Sequence, residues 1–512
     1  MIDQNRALVR ISNVWMYIHN LPEPIKKEVQ TKMSYFVPGF QYMARYQQQK
    51  AIADETGQEP AWDGTKTVAR RSRDGGLVAP VGLFSYLKEV LVEHNIPYFV
   101  RDERLKAVRS PGWSCEGVIL RDYQGDIKKE ALRVERGVMK LATGGGKTKI
   151  MMMIMVEAAA FPAVFYVPSC DLLQQTFDEF SKHVRFDGKP VKIGRVGDGH
   201  CDVQPITIAT VQSCQLALEN KFTKFDDESA TDKTKLTEAQ KAQVRDMVRE
   251  AQFVYVDEAQ HVSCETIQTV LNNSYKARFR IGGSASPWRD DGLDILIEAC
   301  FGRRFCDIDA SFLIGQGFLI QPQITFNHFH QQLGPFGTYQ ACYTKYVVEN
   351  DVRNQWIAER ALYHMGENRP TIILVKWARH AEILAELIPG SEVLTSSGSL
   401  KKSASKRNEV LNDMRAKKLR CIIGTTLLDE GVDVPAAIAG IFAGGGKSST
   451  RALQRVGRFI RLDPSDPNKN AAYIEEFYDH VRYLDHHARS RRKILQTERL
   501  FQISDNRATL QL

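Results

Sequence analysis

The chain has 512 residues, 43% hydrophobic and 25% charged, which is too long for one core and ordinary for a globular protein, so two to four domains are expected. A net charge of +8 permits a polyanionic partner without demanding one, and nine cysteines with no Cys-x-x-Cys pair fit reduced thiols and argue against a disulfide framework or structural zinc. The start, Met1-Ile2-Asp3-Gln4-Asn5-Arg6, has no signal pattern, and the most apolar stretch, 150–167, is broken by Glu157 and Pro162, so a cytoplasmic protein without membrane spans is expected.

Residues 1–110 read as a small α+β domain. A loosely alternating strand covers 8–19 and a short helix 24–32; strands follow over 40–46 and 66–71, with Trp62-Asp63-Gly64 as a turn between them. Leu83, Tyr86, Leu87, Val90 and Leu91 recur at helical spacing over 82–93, and 96–100 is a strand. Arg70, Arg71, Arg73, Arg101, Arg104, Lys106 and Arg109 lie in this part of the chain. Any one of them alone is best read as a solvated charge. Together they suit contact with a duplex backbone, with Tyr42, Tyr46 or Trp62 available to stack on bases.

Short apolar strands at 138–141, 163–167, 205–209, 253–256 and 278–282, several separated by helical patterns, predict a parallel, doubly wound sheet over 111–305. A charged stretch over 222–249 reads as a surface loop and helix. Residues 306–350 connect to a second alternation over 351–480, and a basic helical tail over 481–512 carries Arg489-Ser490-Arg491-Arg492-Lys493.

The chemistry starts at Leu141-Ala142-Thr143-Gly144-Gly145-Gly146-Lys147-Thr148, placed between a buried strand and a buried helix. That order is the phosphate-binding loop: Thr143, Gly144, Gly145 and Gly146 turn backbone N–H groups towards phosphate oxygens, Lys147 reaches the β- and γ-phosphates, and Thr148 offers its hydroxyl to Mg²⁺. The strict pattern has glycine where this chain has Leu141. Val254-Tyr255-Val256-Asp257-Glu258-Ala259-Gln260-His261 puts two acids at the end of a strand, where ligands of open α/β sheets sit. Asp257 is placed to hold Mg²⁺ and Glu258 to deprotonate water. Gln454-Arg455-Val456-Gly457-Arg458-Phe459-Ile460-Arg461 spaces arginines at i and i+3, which share a helix face, so that Arg458 and Arg461 can converge on one γ-phosphate. His486-His487 and the His328-x-His330 pair lack further ligands nearby in sequence and read as structural.

These motifs, in this order over roughly 120–495, resemble the superfamily 2 nucleic-acid helicases, in which the first glycine of the strict loop pattern is normally absent. The resemblance implies two tandem RecA-like parallel-sheet motor domains behind the α+β domain, with ATP and Mg²⁺ bound between them. Leu120-Arg121-Asp122-Tyr123-Gln124 is similar to the Q motif, whose glutamine (here Gln124) reads adenine. Pro168-Ser169 with Leu172 and Gln175, and Ala209-Thr210-Val211-Gln212-Ser213, look like strand-contacting motifs. Gly283-Ser284-Ala285-Ser286-Pro287 resembles motif III. Thr425-Thr426-Leu427-Leu428-Asp429-Glu430-Gly431-Val432-Asp433-Val434-Pro435 resembles motif V, and Gln454–Arg461 motif VI. By this resemblance Lys147, Asp257, Glu258, Gln454, Arg458 and Arg461 carry the hydrolysis, Pro168, Ser169, Gln175, Thr210, Gln212 and Thr425 touch the nucleic acid, and Ser284, Ser286 and Gly431 couple the two.

Ser286-Pro287-Trp288-Arg289-Asp290-Asp291-Gly292 resembles the XPB and RadD translocases. Trp62-Asp63-Gly64 and Pro80-Val81-Gly82-Leu83 resemble the leading domain of phage UvsW-type helicases. The expected partner is therefore DNA, single-stranded, forked or four-way, engaged partly through Arg70, Arg71 and Arg73. The setting is a bacterial or phage-infected host cytoplasm, in replication, recombination or repair. An RNA helicase and the translocase subunit of a restriction system are the alternatives. Residues 1–110 are not needed to build the phosphate site.

Overall fold

The structure is a computed structural model, and it describes residues 6–57, 59–219, 236–263, 265–286, 292–330, 338–395, 404–425, 436–446, 449–463, 466–467 and 469–511. It divides into two compact units, the first formed by Met1–Leu141 with Gly146–Asp307, the second by Ala142–Gly145 with Ile308–Leu512.

The first unit is built on an eight-stranded sheet in the order 200–202, 194–197, 206–210, 163–167, 253–257, 279–284, 136–141, 304–308. From 194–197 to 136–141 every neighbouring pair is parallel. Ala163–Val167 and Ile206–Thr210 are buried at every position, as strands covered on both faces must be. Register aligns Val167 with Thr210, Asp257 with Gly283, and Ser284 with Lys140. The carboxyl ends of the motif-bearing strands therefore share one edge of the sheet.

The leading residues form a second sheet in this unit, ordered 70–71, 77–80, 15–19, 7–11, 98–102. Two expectations are corrected here. The single strand over 8–19 is a hairpin of Ala7–Ile11 and Trp15–His19, because Ser12 Oγ accepts from the Trp15 N–H at 3.0 Å and turns the chain. The strand over 40–46 is a 3₁₀ turn, Phe40–Tyr42, followed by the helix Ala44–Thr56. Gly39 at φ +70° redirects the backbone, and Phe40 packs edge-on against Tyr46 and Trp62 rather than across a sheet.

This sheet is welded to the first unit's core. Leu87, Val90 and Leu91 cluster with Ala299 of the helix Asp294–Phe301. Arg280, 1% exposed, donates to the Asn13 and Leu271 carbonyls, and Arg136 donates to the Asn13, Cys300 and Phe301 carbonyls. The expected surface helix in the 222–249 stretch also carries core: within Glu238–Glu250, Val244, Met247 and Val248 are buried. Residues 220–235 lie outside the described ones.

The second unit holds a seven-stranded sheet in the order 391–394, 421–424, 371–374, 439–441, 472–479, 322–330, 502–511, parallel throughout. Both units are thus RecA-like α/β layers behind an α+β region. Two boundaries move. Pro322–His330, read as part of a connecting segment over 306–350, is a strand of this sheet, and its alternating burial pairs it beside Ala472–Asp479. The tail over 481–512 is helical only at Arg482–Leu495, and Gln502–Gln511 returns as the strand beside Pro322–His330. Arg353, fully buried, ties the helix Asp351–Gly366 to that sheet through Asp479 at 2.9 Å.

A Cβ at Gly82 would collide with the backbone carbonyls of Glu298 and Ala299, which cannot swing away. Gly82→Ala is therefore expected to cost about 1–3 kcal/mol. Gly366→Ala, in open space, should be neutral within error. Urea unfolding of both variants checks this; an unchanged Gly82→Ala would mean that the two layers are not pressed together.

Candidate functional site

Gly144 and Gly146 adopt φ +87° and +86°, the left-handed region that side-chain-bearing residues avoid, and the helix Lys147–Ala158 starts immediately after them. The loop thus points N–H groups out of the end of a helix, where anions bind. Gly146 is also tight: a Cβ there would lie 2.5 Å from Gln124 Nε2. Gln124 is 5% exposed and its Oε1 accepts from the Arg121 N–H at 2.9 Å, closing the first turn of the helix Asp122–Val134. The glutamine expected to read adenine therefore lies against the loop, fixed by a helix cap.

Lys147 Nζ is 3.5 Å from Glu258 Oε1, with the two side chains 15% and 24% exposed. Asp257 ends the strand Phe253–Asp257 and accepts from Tyr255 Oη at 3.2 Å. Glu258 sits at φ +53°, a costly conformation for a residue with a Cβ and one seen where a site holds strain. Burial raises both carboxyls. At Asp257 it prevails over Lys147, with Glu258 adding to the rise, so that acid is held above its usual range. At Glu258 burial is outweighed by Lys147, the Gln260 hydrogen bond and His261, and the acid is held below 4.5.

Gln260 is the residue whose part the sequence left unread. Its Nε2 donates to Glu258 Oε2 at 2.8 Å, and Ser284 Oγ donates to its Oε1 at 2.5 Å. Ser284 Oγ in turn accepts from the Ser286 N–H at 3.0 Å. One buried amide thereby joins the acid pair to the end of the neighbouring strand. The only sequence signal was position: fourth in Asp-Glu-Ala-Gln, in the turn Ala259–Ser263 that follows the strand next to that of Ser284.

The expected strand contacts are unevenly placed. Gln175 and Gln212 are exposed, and Gln212 Nε2 reaches the Pro168 carbonyl at 3.5 Å. Ser169 caps the helix Cys170–His183 through the Leu172 N–H, and Thr210 is buried and donates to Ser213 Oγ at 2.9 Å. Thr425 is buried. Residues 426–435, with Gly431, and 287–291, with the Trp-Arg-Asp-Asp stretch, lie outside the described residues. Arg70, Arg71 and Arg73 are exposed, but Arg71 is paired with Glu23 at 2.7 Å. Among the stacking candidates Tyr42 is 88% exposed, while Tyr46 and Trp62 pack on Phe40.

In the second unit the helix Ser449–Phe459 ends before Arg461, correcting the shared helix face. Gln454 and Arg458 are helical, whereas Arg461 lies in an extended bridge with Leu319, because the Ile460 carbonyl accepts from the Ile320 N–H. Gly457 is required by contact: a Cβ there would lie 2.7 Å from the Thr143 Cβ, and Thr143, Gly144 and Gly145 belong to the same unit.

Residues 117–289 match the family described as type III restriction enzyme, res subunit, and residues 354–463 match the helicase conserved C-terminal domain. The chain belongs to the superfamily 2 helicases. Among its relatives, a putative helicase of a Sulfolobus islandicus filamentous virus is 25% identical over 70% of this chain and 64% of its own length. The DNA 3'-5' translocase XPB2 of Sulfurisphaera tokodaii is 24% identical over 76% of this chain and 86% of its own. The crystal structure of T4 UvsW covers 98% of this chain and 99% of its own at 18% identity, with a TM-score of 0.43. The resemblance to XPB drawn from the motifs recurs among these relatives. The match to the viral relative spans just under two thirds of that protein. Among the described residues no helix is long and apolar enough to cross a membrane.

Lys147→Ala removes the cation that holds Glu258 down. Glu258 has a folded pKa below its ordinary 4.5, so the stability it draws from Lys147 is complete above pH 4.5 and is lost as pH falls through the lowered value. The expected loss, roughly 1 kcal/mol for a partly exposed pair, is full at pH 7 and shrinks as pH falls below 4.5. Urea unfolding of both proteins on either side of that value measures it; an equal gap at both would remove the ion pair as its cause.

Proposed function

We propose that this chain is an ATP-driven DNA translocase that unwinds or branch-migrates forked and junction DNA. The observation that carries the reading is Lys147 set against Asp257 and Glu258 beside a left-handed glycine loop. This arrangement fits a magnesium-bound triphosphate: the loop supplies anion-binding N–H groups, and two carboxylates sharing one lysine supply oxygen ligands for a hard cation. Thr148 and Asp257 would hold Mg²⁺, which when bound neutralises charge on the phosphates. Glu258, kept ionised, accepts the proton of the attacking water, and Gln260 fixes its orientation. Arg458 and Arg461 are assigned to charge on the transferring phosphoryl group, and Gln454 to their support. The Gln260–Ser284 bond gives the state of the acid pair a route to the neighbouring strand end.

The choice of DNA is supported by the relatives, which include a DNA 3'-5' translocase, and the bacterial or phage-infected cytoplasm by the viral one. Contacts at Pro168, Ser169, Gln175, Thr210, Gln212 and Thr425 would go mostly to phosphates, allowing steps without sequence readout. Arg70, Arg73 and the exposed Tyr42 are assigned to duplex. The restriction family matched over 117–289 supports a second reading, a translocase that works beside a nuclease subunit.

ATP turnover measured with single-stranded DNA, forked DNA, a four-way junction and RNA as competing stimulators separates these readings. Stimulation by RNA alone would overturn the DNA assignment. Glu258→Gln is expected to keep ATP and DNA binding and to abolish turnover. Arg458→Ala or Arg461→Ala should lose about three decades of turnover with little change in nucleotide affinity. Charge reversal at Arg70 and Arg73 should weaken junction preference and leave single-strand stimulation intact. Deleting residues 1–110 would strip Arg280 of its cover, so substitutions are the sharper test.

A further inference from the structure

The two histidines dismissed on sequence spacing gain a third from 150 positions later. His328 and His330 end the strand Pro322–His330, and His480 follows the adjacent parallel strand Ala472–Asp479. Ring nitrogens of all three lie within 4.8 Å of one another. His328 Nδ1 and His480 Nε2 face each other at 2.9 Å.

The other nitrogen of each ring is turned to a carboxylate. His328 Nε2 is 2.9 Å from Asp505 Oδ1, and His480 Nδ1 is 3.6 Å from Asp485 Oδ1. Asp505 is itself anchored by Arg492, Nη2 to Oδ2 at 2.9 Å. An ionised carboxylate only accepts hydrogen bonds, so each outer nitrogen is favoured as the N–H. Both inner nitrogens then present lone pairs to the same point. Two lone pairs at 2.9 Å repel, and a cation between them removes the conflict. A carboxylate on the outer nitrogen of a ligating imidazole is also the arrangement that fixes tautomer and basicity in metal centres.

We propose that His328, His330 and His480 form a transition-metal site, taking Zn²⁺ or a similar imidazole-seeking divalent ion. Three imidazoles select Zn²⁺, Co²⁺, Ni²⁺ or Cu²⁺ over Mg²⁺ and Ca²⁺, so the site does not compete for the nucleotide's magnesium. With Zn–N bonds of about 2.0–2.1 Å, two ligating nitrogens sit roughly 3.3 Å apart, a small opening of the observed gap. His330 is exposed and stacked at 4.0 Å on His480, and a turn of its ring supplies the third ligand, with water completing a tetrahedron. The metal would pin the ends of two neighbouring strands, with Asp505 of the third strand behind it. The proposal does not depend on the nucleotide site.

The test uses the full chain, stripped with chelator and titrated with Co²⁺ in excess Mg²⁺, read by the visible absorption of tetrahedral cobalt and by displacement with Zn²⁺. One ion per chain is expected. Asp485→Asn should weaken it about 10–100-fold, and His330→Ala, a surface change that leaves the fold intact, by at least as much. Zn²⁺ should raise the unfolding temperature of the wild type and not of His330→Ala. Binding that is unchanged in both variants, or no stoichiometric binding at all, overturns the proposal; the second result would mean that a shared proton alone bridges the two rings.

Discussion

Two carboxylates and one ammonium group, packed at the end of a single strand, set the terms for the rest of the first unit. Burial raises Asp257 and Glu258 alike, and Lys147 lowers both but helps to outweigh burial only at Glu258. The result is two acids in one place with opposite shifts, a condition that sorts chemically similar groups into different tasks. The backbone brings these groups together. The parallel register brings the ends at Leu141, Asp257 and Ser284 to one edge, and left-handed glycines let the loop turn into its helix.

Gln260 extends this constraint outwards. A buried amide offers one donor face and one acceptor face, and here both are used, towards Glu258 and from Ser284. Replacing it with a residue that can only accept or only donate would break one of the two links. The glutamine of Asp-Glu-Ala-Gln therefore meets a geometric requirement of this site.

The parallel sheets and the nucleotide motifs were legible because they are local: an apolar strand, a glycine loop and an acid pair are each written in fewer than ten consecutive residues. The aromatic stretch at 40–46 misled because Phe40, Tyr42 and Tyr46 suit a strand by type, while Gly39 and the Phe40–Trp62 contact decide the backbone. The strand Gln502–Gln511 was hidden behind a basic helix, and Pro322–His330 inside an apparent linker. Pro322–His330 becomes a strand between Ala472–Asp479 and Gln502–Gln511, and the latter only because Pro322–His330 lies beside it. The three histidines failed for the same reason, since two parallel strands separated by 150 residues of sequence are neighbours only once the sheet exists.

The contact of Gly82 with the carbonyls of Glu298 and Ala299 bears on how such a chain can be altered over evolutionary time. A leading domain joined by a tether could be exchanged for another without disturbing the motor. At Gly82 this one meets the motor's carbonyls directly, with no room for a side chain that could adapt to a new neighbour. Any replacement domain would have to bring its own version of the helix Asp294–Phe301, so domain and helix are inherited as one block.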